Sequence, residues 1–224
     1  WTRAQKEEEV GLRLAGALWP LWRGRGYWTE GREHLAMLLA LPGAEAHTAA
    51  RARLIHDARE LARLQGDYGA ARALFEERLA IYRMLADKQG IADSLRSVGR
   101  VVCLQQDYGA AGALLEEALA SFQELGDKPG IAMTLSNLGA LACSVGDHGA
   151  ARAIHEEALA IFRELGNKGM IAWSLLALGV VARTTSDRMA ARSLLEKSRA
   201  IFQERENTEG IAWALINLGE IACE

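Results

Sequence analysis

The sequence predicts an all-α protein: a solenoid of about 11 helices stacked as antiparallel pairs. Three observations carry this. Ala (40) and Leu (32) make up 72 of the 224 residues, Pro occurs three times, and Val and Thr occur only seven times each. That balance favours helix formers over strand formers. The chain also repeats with a period of 40: Asp67, Asp107, Asp147 and Asp187 fall on it, as do Ile91, Ile131, Ile171 and Ile211 and the glycines at 99, 139, 179 and 219. Residues 107–146 and 147–186 are identical at 21 of 40 positions, with no insertion between them. Within a period, apolar residues recur at helical spacing, as in Ile131, Leu135, Leu138 and Leu141.

The units read in order as pairs of helices at about 5–41, 48–86, 91–126, 131–166 and 171–206, followed by one helix at 210–223. The first is divergent, but Gly26, Trp28, Gly31 and Leu35 stand one full period before Gly66, Tyr68, Ala71 and Phe75. In the clearest unit the first helix is expected over Ile131–Val145. Gly146 suits a left-handed stop, and Asp147 suits the N-cap of a second helix over His148–Leu165. A polar link, GNKGM, is expected before the next unit. Gly139 and Ala151, with their repeats, suit the point where two helix axes cross closely. The whole of 1–224 reads as one solenoid without an internal boundary. It starts and stops inside a helical pattern, as an excised piece of a longer protein would.

Composition excludes several classes. Half the residues are apolar and the net charge is −3, which excludes disorder. The absence of a basic surplus argues against direct nucleic-acid binding. No apolar run approaches the ~20 residues of a membrane span. Three cysteines, an odd and sparse set, suit a reducing, cytoplasmic setting. Cys103 and Cys143 occupy equivalent positions of adjacent units and are expected as free thiols, because stacked helices lie ~8–10 Å apart, beyond disulfide reach. No phosphate-binding, nucleophile-elbow, HExxH or CxxC pattern occurs, so neither an enzyme nor a cofactor or metal site is expected. The recurring pairs Glu76-Glu77, Glu116-Glu117 and Glu156-Glu157 read as a solvated helix face. His155 takes a core position held by Phe75, Leu115 and Leu195 in other units, which makes it a packing histidine and not a metal ligand.

The lettering resembles the tetratricopeptide repeat. The motif positions are Leu135, Leu138-Gly139, Gly146-x-His148, Ala151, His155 and Ala158 in one unit, and Leu95, Val98-Gly99, Gln106-x-Tyr108, Ala111, Leu115 and Ala118 in the preceding one. Departures occur at Arg78, Ser186 and Arg188. The family's usual period is shorter, about 34 residues. The longer form, with its Asn137-Leu138-Gly139 and Asn217-Leu218-Gly219 triplets, is similar to repeats of kinesin light chains, spindle-orientation adaptors and bacterial regulators. The N-terminal stretch GLRLAGALWPLWRGRGYWTEGREHLAMLLALPG looks like the segment that follows the ATPase and winged-helix modules of bacterial STAND-type transcriptional regulators. This resemblance implies a right-handed superhelix and a non-catalytic module that binds a peptide or protein segment in its concave groove, as the sensor or scaffold array of a signal-transduction regulator. The other reading is a self-associating scaffold, through an apolar seam of Ile211, Leu215, Leu218 and Ile221 on the last helix.

In such arrays the first helix of each pair lines the groove, through positions six and three before the repeat glycine and one and four after it. These positions supply Arg53, His56, Glu60 and Arg63, then Asp93, Arg96, Arg100 and Cys103. Further along they supply Met133, Ser136, Ala140 and Cys143, then Trp173, Leu176, Val180 and Arg183, and last Trp213, Ile216, Glu220 and Cys223. The expected groove is bipartite, arginine-rich first and apolar second, with Arg96 and Arg100 meeting acidic groups and Trp173 and Trp213 receiving aromatic or aliphatic anchors. Asn137 and Asn217 match the family asparagine that bonds a bound backbone. Two alternatives stay open: the tryptophans pack on neighbouring repeats, and the arginines are neutralised by Asp93 and Glu60. Trp173 and Ala177 stand where a carboxylate clamp for chaperone tails needs basic residues, which disfavours that partner.

Overall fold

The computed structural model describes residues 65–223 without a break and, upstream of them, residues 14, 17–22, 24–39, 54, 55, 57, 58, 61 and 62. All described residues lie in helices or in the turns between them, so the fold is all-α. The helices with defined bounds among them are α1 (Trp28–Leu39), α2 (Tyr68–Met84), α3 (Lys88–Leu104), α4 (Tyr108–Leu125), α5 (Lys128–Ser144), α6 (His148–Glu164), α7 (Lys168–Thr184), α8 (Arg188–Glu204) and α9 (Thr208–Cys223). The chain divides into two compact units, residues 1–114 and 115–224, each taken by itself below.

One junction, formed twice in every period, sets the boundaries from the start of α2 to the start of α9. A residue with positive φ ends the preceding helix: Gly66, Ala86, Gln106, Gly126, Gly146, Gly166, Ser186 and Glu206. The next residue is an aspartate or asparagine with two jobs. Its backbone N–H donates to the carbonyl five residues back, as Asp147 does to Ala142 and Asn167 to Phe162, closing the old helix in a Schellman turn. Its side chain accepts from the N–H three residues on, as Asp147 does from Ala150 (2.9 Å) and Asn167 from Met170 (3.1 Å), which opens the new helix. The same side-chain bond recurs at Asp67, Asp87, Asp107, Asp127, Asp187 and Asn207.

This junction corrects the expected link between units. GNKGM is not a linker: Gly166 turns the chain, Asn167 caps, and Lys168, Gly169 and Met170 form the first turn of α7. The first helices therefore begin earlier than the apolar spacing implied, at Lys128 and not Ile131, and the last begins at Thr208 and not 210. Pro129 sits in the first turn of α5, where its missing N–H would have no partner in any case. Gly90, Gly130 and Gly210 are likewise not punctuation. A Cβ on them would run into the rings of Tyr82, Phe122 and Phe202, so the glycine lets an aromatic ring from the preceding helix lie on the backbone.

In the first unit, Trp22, Leu35, Leu54, Ala58 and Leu61 form a core against which Trp28 and Leu74 pack. A Cβ on Gly31 would lie 2.6 Å from Leu61 Cδ1, so the residue matched to Ala71 must be bare here. Arg32 on α1 donates to Gln65 and to the Asp67 carboxylate (2.9 Å), tying α1 to the turn before α2.

In the second unit each helix from α5 to α9 packs on the next, and α7 also touches α5 and α9. Ala132, Leu135, Ala158 and Phe162 form one core layer, and Leu159, Leu175 and Leu178 form the next. Ala182, Ala191, Leu195 and Ile221 form the last. Gly139 and Gly179 are the expected close crossings: an added Cβ would meet the His155 ring and Leu195 Cγ, each at 2.7 Å. Gly219 differs, with nothing within 4 Å of where its Cβ would be.

Four of the eight turn residues carry a side chain despite φ between 51° and 66°: Ala86, Gln106, Ser186 and Glu206. The left-handed region costs an L-residue ~1–2 kcal/mol, partly offset by glycine's larger unfolded-state entropy. Ser186→Gly is therefore expected to raise stability by about 0.5–1 kcal/mol, read as a higher urea midpoint. A lower midpoint would mean that residue 186 does not hold this conformation in solution.

Candidate functional site

In the first unit the expected arginine face is only partly described. Arg53, His56, Glu60 and Arg63 lie outside the described residues. Arg96 on α3 donates to the Asp93 carboxylate at 3.0 Å, and its side chain is 16% exposed, so its charge is largely neutralised within its own helix. Arg100, one turn further on, is half-buried. Cys103 and, in the second unit, Cys143 are half-buried thiols outside any disulfide.

In the second unit, Met133, Trp173 and Trp213 stand one repeat apart on α5, α7 and α9. Met133 (36%) and Trp213 (49%) are exposed. Trp173 is half-buried, with its ring edge-on to Phe202 at 4.9 Å between centroids, so it has a packing partner. Leu176 packs against the core layer of Ala182 and Leu195. Asn217 is buried, and its Nδ2 donates to Trp213 O within the same helix at 2.9 Å. Nδ2 of Asn137 is shielded from water and has no partner. Arg183 pairs with Glu220 at 3.1 Å.

Trp173 does more than pack. It forms one wall of a cavity of about 320 Å³ between α5 and α7. From α5 come Ser136, Ala140 and Cys143, three of the four positions expected to face a partner. From α7 come Trp173 and Val180, together with Met170, Ser174 and Ala177, which the positional rule does not reach. His155 of α6 completes the lining. Apart from two serines, the thiol and the imidazole, the surface is apolar.

His155 is 4% exposed, and its Nδ1 has no hydrogen-bond partner. Burial draws its pKa down from 6.5 to about 4, so the ring is neutral at pH 7. Burial likewise pushes the Cys143 thiol up, which makes it a poor nucleophile. The cavity thus offers shape, apolar surface and neutral hydrogen-bonding groups, but no group poised for acid–base or nucleophilic chemistry.

Fold and site together define an all-helical repeat protein built for contact. Residues 90–164 and again 130–204 match the tetratricopeptide repeat. The chain belongs to the tetratricopeptide repeat family. A search of curated proteins finds no match. Among solved structures, a Rap protein complexed with competence and sporulation factor has a TM-score of 0.81 at 14% identity, covering 95% of this chain and 63% of that one. The STAND protein with a tetratricopeptide repeat sensor from Pyrococcus horikoshii has a TM-score of 0.75 at 16% identity, over 99% of this chain but 34% of that one. BtubC from P. vanneervenii has a TM-score of 0.70 at 19% identity, over 91% and 90%. These likenesses establish the fold, a tetratricopeptide-type solenoid. No helix among the described residues is long and apolar enough to cross a membrane.

The neutral His155 has a consequence for stability. The unfolded chain takes up a proton near pH 6.5, whereas the folded chain resists it down to about 4. The stability gained by holding this ring neutral is therefore complete above pH 6.5 and is lost as pH falls towards 4. His155→Leu, with the residue found at the equivalent positions 115 and 195, removes this dependence. Relative to the variant, the natural chain is expected to lose on the order of 3 kcal/mol between pH 7 and pH 4. Chemical denaturation at both pH values reads the difference; parallel curves for the two proteins would show that His155 is not held neutral.

Proposed function

We propose that this array is a non-catalytic binding module that receives a peptide or protein segment on the first helices of its pairs, as the sensor of a bacterial, cytoplasmic signal-transduction regulator. The observation that carries the reading is the ladder of Met133, Trp173 and Trp213. These are large apolar side chains in register on successive first helices, two of them exposed and the third lining an open cavity. Apolar surface arranged this way favours a partner that covers it. In the first unit, Arg96, held by Asp93, offers a positioned guanidinium donor. The regulator role is supported by likeness of fold to a STAND protein whose repeats are described as its sensor. In that role the segment acts by binding one of two states of the parent protein more tightly than the other.

A second reading, self-association, is supported by Leu215 of the expected seam (49% exposed) and by Ile216 (54%), a groove position beside it on α9. The other seam residues favour it less: Ile221 is buried and Leu218 packs beside it.

Panning a random peptide phage library on the chain tests the first reading. It is expected to enrich segments that carry aromatic or aliphatic anchors. Met133→Ala, and separately Trp213→Ala, are each expected to weaken the enriched peptide at least tenfold at unchanged helicity. If no peptide is enriched, or if both variants bind as well as the parent, the segment-binding reading fails. Light scattering that shows mass rising with concentration, and falling for Ile216→Glu, would favour self-association instead.

A further inference from the structure

The repeat gives each position its own internal controls, and against them the cavity between α5 and α7 stands out. Two exchanges of residue and one hydrogen bond not made meet there. At the position of Met170 the other repeats carry Gly90, Gly130 and Gly210, each beneath an aromatic ring. At the position of Ser174, Ser94 donates to Gly90 O and Thr134 to Gly130 O, each at 2.7 Å. Ser174 Oγ, 3% exposed as a residue, has no partner within the protein. His155 replaces Phe75, Leu115 and Leu195, and its Nδ1 too has no partner. Trp173, at the position that Met133 and Trp213 hold in the neighbouring repeats, supplies a flat apolar wall.

A histidine at a leucine position and an unbonded buried serine both cost stability, because each withdraws a polar group from water and returns no hydrogen bond. Folding alone would be better served by the leucine of the neighbouring repeats and by a bonded hydroxyl, as at Ser94 and Thr134. Ser174 and His155 both line one cavity, whose volume lies in the range of small-molecule sites. Two polar groups without protein partners beside an apolar cavity suit a guest that brings the partners.

We propose that the cavity bounded by Trp173, Met170 and Ala140 binds one small uncharged molecule with a flat apolar body and a hydroxyl or amide group that bonds to His155 and Ser174. The apolar body lies along the Trp173 indole, and the polar group supplies what Ser174 Oγ and the imidazole lack. Both atoms are shielded from water, so binding requires each side chain to turn towards the guest. An anion is excluded because no cationic side chain lines the cavity to offset its desolvation. This goes beyond the segment-binding reading, since it requires no peptide and involves neither Arg96 nor Trp213.

Calorimetric titration with 1-naphthol tests it, with 1-methylnaphthalene and 1-naphthoate as matched probes that lack the donor or add a charge. Saturable 1:1 binding of 1-naphthol is expected, at least fivefold tighter than either matched probe. Ala140 is exposed on α5, so Ala140→Phe fills the mouth of the cavity without entering the core. It is expected to abolish binding at unchanged helicity. Ser174→Ala is expected to narrow the advantage of 1-naphthol over 1-methylnaphthalene to below twofold without lowering the melting temperature, whereas Ser94→Ala, which removes a made hydrogen bond, lowers it. No saturable binding of 1-naphthol, equal binding of 1-methylnaphthalene, or binding that survives Ala140→Phe each overturns the proposal. Trp213→Ala leaves naphthol binding unchanged if the proposal holds, whatever it does to a peptide, so the two readings fail separately.

Discussion

The structure depends on one compound turn in which a single side chain ends one helix and begins the next. The N–H of Asp147 closes α5 and its carboxylate opens α6, and the chain repeats this twice per period as far as Asn207. Each helix end leaves unpaired backbone groups that must find partners. Satisfying both ends within one short turn leaves no slack for a flexible link. Helix lengths are therefore nearly constant from α2 to α9, and apolar positions return to the same register each time. The core layers, the bare glycines beneath Tyr82, Phe122 and Phe202, and the ladder of Met133, Trp173 and Trp213 all follow from that constancy.

Much of this was legible in the sequence. The all-α class, the paired helices, the caps at Asp67, Asp107, Asp147 and Asp187, and the close crossings at Gly139 and Gly179 follow from residue types whose backbone chemistry is local. What escaped was the second cap of each pair. Asp87, Asp127, Asn167 and Asn207 are followed by Lys-Gln-Gly, Lys-Pro-Gly, Lys-Gly-Met and Thr-Glu-Gly, which read as linkers because glycine and proline are poor helix formers. Their tolerance depends on things that composition does not carry. Proline is harmless in a first turn, and the glycine is required by a ring from the preceding helix. The positive φ at Ala86, Gln106 and Glu206 was hidden for a related reason: no residue there signals it, and only the junction around it imposes it.

The candidate site was less legible, because side-chain direction depends on packing partners that spacing does not name. The positional rule brought Ser136, Ala140, Cys143, Trp173 and Val180 to one surface, yet it also selected Leu176, and the family motif selected Asn217. Leu176 packs into the core, and Asn217 is buried with its amide spent on its own helix. For Trp173 the spacing leaves both packing and the groove open. One part of its indole lies against Phe202, which is packing on a neighbouring repeat, while another borders the cavity. Arg96 behaves in a similar way: Asp93 holds its guanidinium in place and removes most of its charge, which makes it a positioned donor more than a free cation.

A repeat protein offers one inference that a singular fold does not. Where the same junction rebuilds the same geometry in every period, any position has copies in matched surroundings, and a costly residue at one copy cannot be ascribed to the needs of the fold. Leu195 lies against Gly179 as His155 lies against Gly139, at the same 2.7 Å from the place of a missing side chain, so leucine satisfies that crossing. The histidine therefore answers to something other than the crossing, and so does the unbonded Ser174 beside bonded Ser94 and Thr134. That both departures fall on the lining of a single cavity, together with the exchange of a repeat glycine for Met170, locates their common cause in that space and not in the stacking of the array.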